Sequence, residues 1–365
     1  MKKAIMLVTP ELTFTQKGAR EALSVTHAEI LQEISKHKLR LFKVPPATKK
    51  SFLFYILSMF GFIDGLSPEI ITQIQAIVIN ENIQILFIDG SNLGLVAKYI
   101  KNAFKNVKVV TFFHNVETRF FLGAFLEHRA IKYLFVTISN YIAEKSAIEF
   151  SDVRIVLNSR DDQMLRQIYG GGATHVSSIV ARYVPKMYTC ASIRPISERY
   201  CLFVGGAFYA NVAGIRWFAK NVASNIYIMT IVIGRGFEKY RNELEQYKNI
   251  RVIGGVNDLG PWYRHAHFVI APIFDGSGMK TKVAEALMFG KKVVGSPEAF
   301  TGYEDALPQA GPVCISDADY IREINRLSSQ RFNIEEENLR MLYELKYSKQ
   351  AATNRFRDIL FGDKS

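Results

Sequence analysis

Residues 274–294 read Phe-Asp-Gly-Ser-Gly-Met-Lys-Thr-Lys-Val-Ala-Glu-Ala-Leu-Met-Phe-Gly-Lys-Lys-Val-Val, and this stretch decides the fold of the C-terminal half. The apolar run 268–273 predicts a buried strand before it, and the pattern from Thr281 to Phe289 predicts a helix that stops at Gly290. A glycine loop between a strand and a helix directs several backbone N–H groups, and the positive end of the helix dipole, toward one point. Such an arrangement is typical of a phosphate site.

Charged side chains accompany this loop. Lys280 and Lys282 add two cations, and Glu285 lies about one turn into the helix, where its carboxylate can accept hydrogen bonds from sugar hydroxyls. An isolated Gly-x-Gly after a strand is more often only a tight turn. The two lysines, the carboxylate and the glycine at the helix end favour a functional site here.

The same segment resembles the donor-site signature of the group 1 (family 4) glycosyltransferases. The matching residues are Gly276-Ser277-Gly278, Lys280, Lys282-Val283, Glu285-Ala286-Leu287 and Gly290-Lys291-Lys292-Val293-Val294. They are similar to the variant with Gly-Ser-Gly-x-Lys before Glu-Ala, in which Ser277 takes the place of the family's first glutamate.

The resemblance covers most of the chain. Further matching segments, in the family's order and spacing, are Phe113-His114-Asn115-Val116-Glu117, Phe203-Val204-Gly205-Gly206, Ile233-Gly234-Arg235-Gly236 and the run from Val256 to Pro272. It implies an α/β chain with the GT-B fold, in which two doubly wound, Rossmann-like domains face each other across a cleft. The last helix is expected to cross back to the first domain.

Strands and helices alternate in two blocks, and this alternation independently predicts two parallel sheets with right-handed crossovers. The predicted strands are 3–8, 39–44, 84–88, 107–113 and 153–157, and then 200–204, 226–233, 251–253, 268–271 and 292–294. The predicted domains are an acceptor-binding domain (1–182), a linker (183–199), a nucleotide-sugar-binding domain (200–345) and a returning helix (346–365). Ser159-x-x-Asp162 resembles a capping box, which predicts a helix from Ser159 to about Tyr169.

Composition favours a large cytoplasmic enzyme. The 365 residues suffice for two cores, and 48% of them are hydrophobic. The three cysteines, Cys190, Cys201 and Cys314, are scattered, which is typical of reduced thiols. The apolar run after Lys2-Lys3 is too short for a signal peptide, and no stretch of 18 apolar residues predicts a membrane span.

Positive charge is concentrated in the first sixty residues. They contain ten Lys or Arg against four Glu, a net +6 of the chain's +12. Lys49-Lys50 precede the apolar, aromatic stretch 51–63, which suits a peripheral contact with an anionic membrane surface. A buried helix of the first domain explains the stretch equally well. The dispersed lysines and the lack of a nucleic-acid-binding motif argue against a nucleic-acid partner.

Ligands of open parallel sheets bind beyond the carboxyl ends of the strands. This rule places Gly205, Gly206, Gly234, Arg235, Val256 and the loop 275–282 on one rim of the second domain. In the first domain the same rule places His114, and the loop that contains Lys17 and Gly18, at the carboxyl ends of the strands. This is the side on which the acceptor is expected to bind. His114 has the alternative interpretation of a residue that caps a strand, and Glu117 and Arg119 are interpreted as helix-start residues.

The resemblance assigns roles to these residues. Arg235 and the loop Gly278–Lys282, which contains Met279 and Lys280, are expected to hold the diphosphate, and Gly276 and Ser277 are expected to take part in donor binding. Glu285 is expected to bind the ribose, and Asp275 the donor sugar. His114, Asp275 and Lys282 are the predicted catalytic residues. No metal-binding spacing is present, so the leaving group is expected to be stabilised by cations and dipoles, without a metal or cofactor.

The predicted activity is transfer of a sugar from a nucleoside-diphosphate sugar to a hydroxyl of a saccharide or lipid-linked saccharide. The resemblance implies retention of configuration, and cell-envelope polysaccharide assembly is the expected context. Two alternatives remain: a nucleotide-sugar 2-epimerase, and a non-catalytic nucleotide-sugar-binding protein.

Overall fold

A computed structural model describes residues 3–11, 19–36, 38–46, 52–181, 194–276, 278–331 and 335–362. The chain divides into two compact units. Unit 1 comprises Met1–Ser178 together with Lys349–Ser365, and unit 2 comprises Ile179–Ser348.

Unit 1 alternates strands and helices around one parallel sheet. Its elements are β1 (Ile5–Pro10), α1 (Ala19–Ile34), β2 (Leu39–Val44), α2 (Phe52–Met59), α3 (Pro68–Asn80), β3 (Ile85–Asp89), α4 (Gly94–Ala103), β4 (Lys108–Phe113), α5 (Glu117–His128), α6 (Ile131–Phe150), β5 (Val153–Val156), α7 (Ser159–Tyr169), β6 (His175–Val176) and α14 (Lys349–Phe361). The strand order is β2-β1-β3-β4-β5-β6. The chain therefore reverses its direction across the sheet between β1 and β3, the position at which such sheets bind ligands.

Apolar residues explain why these strands lie at the centre of unit 1. All five residues of β3 are buried, as are the first five of β1. Near-continuous burial is expected for parallel strands that are covered on both faces. One side of this core contains α3 and α4, through Ile71, Ile74 and Ile100.

Unit 2 repeats this architecture with five strands. Its elements are β7 (Tyr200–Val204), α8 (Tyr209–Asn221), β8 (Met229–Ile233), α9 (Arg241–Leu244), β9 (Ile250–Gly254), α10 (Gly260–His265), β10 (Val269–Ala271), α11 (Thr281–Met288), β11 (Val293–Gly295), α12 (Asp317–Ser329) and α13 (Glu337–Lys346). The parallel order is β11-β10-β7-β8-β9, so the reversal lies between β7 and β10. The loop after β10 is the one that contains the Gly-Ser-Gly sequence.

The predicted α/β class with two parallel sheets is confirmed. All ten predicted strands are present, with ends shifted by at most three residues, and the short strand β6 is additional. The cap of α7 was predicted wrongly: Asn158 is the N-cap residue, and its side chain accepts from the backbone N–H of Asp161 at 2.9 Å. An Asn cap satisfies the same orphan N–H groups as Ser.

The C-terminal segment consists of two helices, with a break at Tyr347 and Ser348. The side chain of Tyr347 is buried, and the Ser348 N–H donates to the Tyr343 carbonyl. Helix α13 belongs to unit 2, whereas α14 packs against α1 in unit 1. The ammonium group of Lys108 donates to the carbonyls of Ile359 and Leu360 at 2.9 Å, which satisfies the end of α14.

Within the apolar stretch 51–63, helix α2 covers Phe52–Met59, and the described side chains of this stretch are not those of a wholly buried core helix. The side chains of Tyr55, Met59 and Phe60 are 56, 51 and 64% exposed, whereas Phe62 is buried. Lys49 and Lys50 lie outside the described residues. Among the helices that the structure describes, none is both long and apolar enough to cross a bilayer.

Candidate functional site

Two glycine loops meet at the carboxyl ends of β7 and β8. A Cβ atom on Gly234 would lie 1.7 Å from the Gly205 carbonyl oxygen, so only glycine permits this approach. The Ala207 N–H donates to the Arg235 carbonyl at 2.9 Å and links the loops further. Gly206 and Arg235 are exposed there, so the edge of the sheet presents a backbone surface beside a guanidinium group.

Lys282, in the first turn of α11, lies next to this surface. Its ammonium group donates to the Asn211 side-chain oxygen at 2.9 Å and lies 4.2 Å from the centre of the Phe203 ring. A Cβ atom on Gly205 would lie 3.2 Å from this nitrogen. Burial lowers the pKa of Lys282 to about 7, although the Glu285 carboxylate acts in the opposite direction. A neutral amide and a neutral ring replace the lost hydration only in part, so this lysine favours an anionic ligand.

The loop between β10 and α11 places its polar groups at the exposed side. The Asp275 carboxylate is exposed and accepts from the Gly276 N–H at 2.7 Å and from the Tyr209 hydroxyl at 3.3 Å. Gly278 has φ +61°, which favours glycine, and the buried Met279 sulfur accepts from the Ile179 N–H at 3.4 Å. Ser277 lies outside the described residues.

The two lysines of the loop differ in their surroundings. Lys280 forms an ion pair with Glu298 at 2.8 Å and donates to the Gly278 carbonyl at 3.1 Å. Its charge is therefore compensated within the protein. Lys282 contacts an amide instead, so Lys282 is the stronger candidate for countering the charge of a ligand.

Glu285 is held in place by an aromatic neighbour. The Tyr263 hydroxyl donates to its carboxylate at 2.7 Å, and the Tyr263 ring stacks on Phe289 at 5.1 Å. Burial raises the pKa of Glu285, whereas Tyr263 and the Lys282 charge lower it. Its side chain is partly exposed.

Arg235 and Val256 flank a loop that is organised by Glu238. The Glu238 carboxylate accepts from the N–H groups of Gly255 and Gly236, both at 2.7 Å, and these bonds lower its pKa. Val256 follows directly and is partly exposed. This edge therefore extends the surface of the glycine loops.

In unit 1, His114 follows β4 and belongs to a buried triad. Its Nε2 lies 2.9 Å from an Asp89 carboxylate oxygen, and the His27 Nδ1 lies 2.7 Å from the same oxygen. The Thr9 hydroxyl donates to the other oxygen at 3.1 Å. The two histidines hold the pKa of Asp89 well below its usual range, against the effect of burial, and burial lowers the pKa of His114. The Phe356 ring of α14 packs on His27 at 5.4 Å.

The geometry of this triad is that of hydrogen bonds. Although its ligand atoms lie within 4.8 Å of one another, tetrahedral zinc with bonds of 2.0–2.1 Å would separate them by about 3.3 Å. The observed nitrogen–oxygen distances are 2.7 and 2.9 Å. Since both imidazoles donate to Asp89, His114 Nδ1 is left as a lone-pair acceptor, and no described residue bonds to it.

Part of the chain matches the model of a known protein family. Residues 198–329 match the family model described as "Glycosyl transferases group 1". This part of the chain is similar to the group 1 glycosyltransferases. The match lies in unit 2 and contains every second-domain residue predicted above. No curated protein sequence matches the chain significantly.

Solved glycosyltransferase structures share the fold over nearly the whole chain. Sucrose-phosphate synthase from Thermosynechococcus elongatus has a TM-score of 0.70 at 14% identity, with 98% of each chain covered. HepE from Anabaena, solved with UDP, has a TM-score of 0.65 at 13% identity, and the match covers 98% of this chain and 99% of the HepE chain. WaaG, a glycosyltransferase involved in lipopolysaccharide biosynthesis, has a TM-score of 0.60 at 13% identity, and the match covers 98% of this chain and 100% of the WaaG chain. The predicted GT-B fold class is thereby confirmed, and the family-model match over residues 198–329 supports the predicted glycosyltransferase enzyme.

The sequence analysis did not identify several residues of unit 1. The partners of His114, Asp89 and His27, were not singled out, although Asp89 ends a buried strand and precedes Gly90. Glu117 begins α5, as predicted, but its buried carboxyl also lines a cavity near Arg20. Lys17 and Gly18 lie outside the described residues.

Proposed function

We propose that this protein transfers a sugar from a nucleoside-diphosphate sugar to an acceptor hydroxyl, with unit 2 as the donor-binding unit. The observation that carries the proposal is the position of Lys282. Its buried ammonium group lies beside the Gly205–Gly206 backbone, in the first turn of α11 and at the reversal of the sheet. A cation, glycine backbone and a helix N-terminus together suit a diphosphate.

The other residues of the loop fit the remaining parts of the donor. Glu285 would accept hydrogen bonds from the ribose hydroxyls, and the exposed Asp275 those of the donor sugar. Arg235 would lie over the diphosphate from the β8 side. In this proposal the leaving diphosphate is stabilised by Lys282, Arg235 and the α11 dipole, so transfer needs no metal. Retention of configuration follows the family resemblance.

The donor class is supported by a structural neighbour. HepE structures contain UDP, UDP with glucose, and UDP-glucose. A nucleoside-diphosphate sugar is therefore the first donor class to examine for this chain. The proposed acceptor is a saccharide or lipid-linked saccharide, in cell-envelope polysaccharide or glycolipid assembly.

A peripheral membrane location is part of the proposal. The exposed apolar side chains of α2 and the residue after it, Tyr55, Met59 and Phe60, suit insertion at a lipid interface. Lysines near an anionic surface add about 1 kcal/mol each. Sedimentation with anionic vesicles, weakened by Phe60→Asp, is the expected result, and no sedimentation at any salt concentration would remove the membrane from the proposal.

Thermal stabilisation by UDP-, GDP- and dTDP-sugars, followed by product analysis, tests the enzyme. A ligand that binds only the folded state raises Tm, and at 100 times its Kd it adds about 2.7 kcal/mol. Lys282→Met and Arg235→Ala should each lower kcat strongly, whereas Lys220→Ala, on the exposed face of α8, should not. Transfer should persist in EDTA. Near-normal kcat in both Lys282→Met and Arg235→Ala, or complete loss of activity in EDTA that Mg²⁺ restores, would contradict the assigned roles.

Stabilisation by a donor without any transfer would favour the non-catalytic binding protein. A sugar-epimerised nucleotide product formed without acceptor would favour the epimerase.

A further inference from the structure

Unit 1 contains a cavity of about 920 Å³ between α2, α5 and α6. One side of it is apolar and aromatic, and the residues that form this wall are Tyr55, Ile56, Met59, Phe121, Phe135 and Val136. Cavities for small molecules usually measure about 300–1,000 Å³. The volume is therefore that of a ligand site, far larger than a packing defect.

The other side of the cavity is polar. Arg20 donates to the Asn92 side-chain oxygen at 2.8 Å, and Asn92 in turn donates to the Asp64 carboxylate. The Glu117 carboxyl lies 3.9 Å from the Arg20 guanidinium group. We call these four residues the polar floor.

The charges of the polar floor select the head group of a ligand. One guanidinium group stands against the two carboxyls of Asp64 and Glu117, and the buried Glu144 adds negative charge nearby. Lys132 also lines the cavity, so the cavity's two cations and two carboxyls nearly balance, and an anionic phosphate head gains no net attraction. Sugar hydroxyls both donate and accept hydrogen bonds, so they fit a floor that offers donors and acceptors side by side.

The apolar wall continues onto the surface of unit 1. Tyr55 and Met59 are about half exposed although they line the cavity, and Phe135 of α6 is 50% exposed. Exposed apolar groups of this size, next to a polar floor, mark an interaction site. A purely apolar partner would remove water from the charged floor without replacing its hydration, and a free sugar would leave the apolar wall exposed to water. The occupant that satisfies both is amphipathic.

We propose that this cavity binds an amphipathic glycolipid, with the saccharide head on the polar floor and the aliphatic chain along the wall of α2, α5 and α6. That this molecule is the sugar acceptor rests on the proposed function. That it binds here rests on the cavity alone.

A series of alkyl glucosides tests the proposal directly, by calorimetric titration of the full chain below the micelle concentration. Methyl, butyl, hexyl and octyl glucosides share one head and differ only in the chain. Each buried methylene contributes about fourfold in affinity, so binding should be saturable at one site and strengthen along the series. Equal affinity throughout the series, or no binding of octyl glucoside, would overturn it.

Two neighbouring residues provide matched variants. Met59 lines the cavity and Phe60 does not, although both are exposed and adjacent. Met59→Asp should weaken octyl glucoside binding at least tenfold and leave methyl glucoside unchanged, whereas Phe60→Asp should leave both unchanged. Because both side chains are solvent-exposed, neither change should unfold the protein. Equal effects of the two variants would show that the cavity wall does not select the ligand.

The remaining outcomes also decide the question. A change of oligomeric state in Met59→Asp, without glucoside binding to the parent protein, would make the wall an interface between two copies and overturn the proposal. Donor binding is measured on the same samples. Transfer activity with a flat glucoside series refutes the glycolipid site alone, whereas chain-dependent glucoside binding without any nucleotide-sugar binding refutes the proposed function alone.

Discussion

Donor binding should take up a proton through Lys282. Burial lowers the pKa of this lysine to about 7, so at pH 8.5 only about 3% of it is charged in the free protein. A diphosphate beside the ammonium group should return its pKa toward the ordinary value near 10.5, so that almost all of it is charged when the donor is bound. The expected uptake is about one proton at pH 8.5 and about 0.1 proton at pH 6.

The same linkage sets the pH dependence of affinity. Above a pH of about 7 the free protein must gain a proton before the favourable contact forms, so the donor Kd should rise about tenfold per pH unit up to about pH 10. A nucleoside-diphosphate sugar has no phosphate group that titrates in this range, so the proton belongs to the protein. Calorimetric titration of the donor in two buffers with very different ionisation enthalpies measures the uptake.

Matched variants assign the proton to one residue. Lys282→Met should abolish the uptake and flatten the pH dependence. Lys291 follows α11, is also buried, and has a pKa that is likewise lowered to about 7, so Lys291→Met is the control and should leave the uptake unchanged. Donor binding without proton uptake at pH 8.5 in the unmodified protein would refute the role of Lys282 at the diphosphate.

Two further predictions concern the buried carboxyl groups of unit 1. Burial raises the pKa of Glu117 to about 7, so the protonated form favours the folded state, and stability should be lost as the pH rises from about 4.5 through 7. In Glu117→Gln the free energy of unfolding should fall less between pH 5 and pH 8, by up to about 3 kcal/mol, as measured by urea unfolding at the two pH values. The same pH dependence in the variant and the parent protein would contradict this prediction. Asp89→Asn should cost about 3 kcal/mol at pH 7, since it leaves two imidazoles without the buried carboxylate. Glu243→Gln, which disrupts the exposed ion pair Arg216–Glu243, is the control and should lower the free energy of unfolding by less than about 1 kcal/mol. An equal loss of stability in Asp89→Asn and Glu243→Gln would contradict the structural role of Asp89.

The sequence predicted what local patterns determine. All ten predicted strands are present, and the central ones, such as β3 and β7, are apolar along their length because both faces of the sheet are covered there. The edge strand β2 is mostly exposed or half-buried and was predicted from its apolar residues all the same. The helix after the Gly-Ser-Gly loop begins at Thr281, as predicted, and ends at Met288, one residue before the predicted end. Residues near in sequence, such as Lys282 and Glu285, could be assigned to one helix end from spacing alone.

Contacts between distant segments could not be predicted in this way. The buried triad of unit 1 combines residues from α1, β3 and the end of β4: His27, Asp89 and His114. Only the strand order brings the two histidines to the Asp89 carboxylate. The polar floor likewise joins Arg20, Asp64 and Glu117 from three segments. Lys280 and Glu298 are separated in sequence by β11, so their ion pair could not be predicted. This ion pair compensates a positive charge that the sequence analysis had assigned to the diphosphate.

Contacts between distant segments also determine which kind of ligand a helix N-terminus can bind, as the two strand–loop–helix segments before α5 and α11 show. Helix α5 follows His114 as α11 follows Asp275, and either N-terminus would attract an anion. At α5, however, the Glu144 carboxylate of α6 accepts from the N–H groups of Glu117 and Thr118 at 2.9 and 3.0 Å. The Ser91 and Tyr169 hydroxyls donate to the same carboxylate. An internal anion therefore already satisfies α5, whereas α11 has the ammonium group of Lys282 in its first turn. A diphosphate is thus expected at α11, and an uncharged hydroxyl-bearing group near α5.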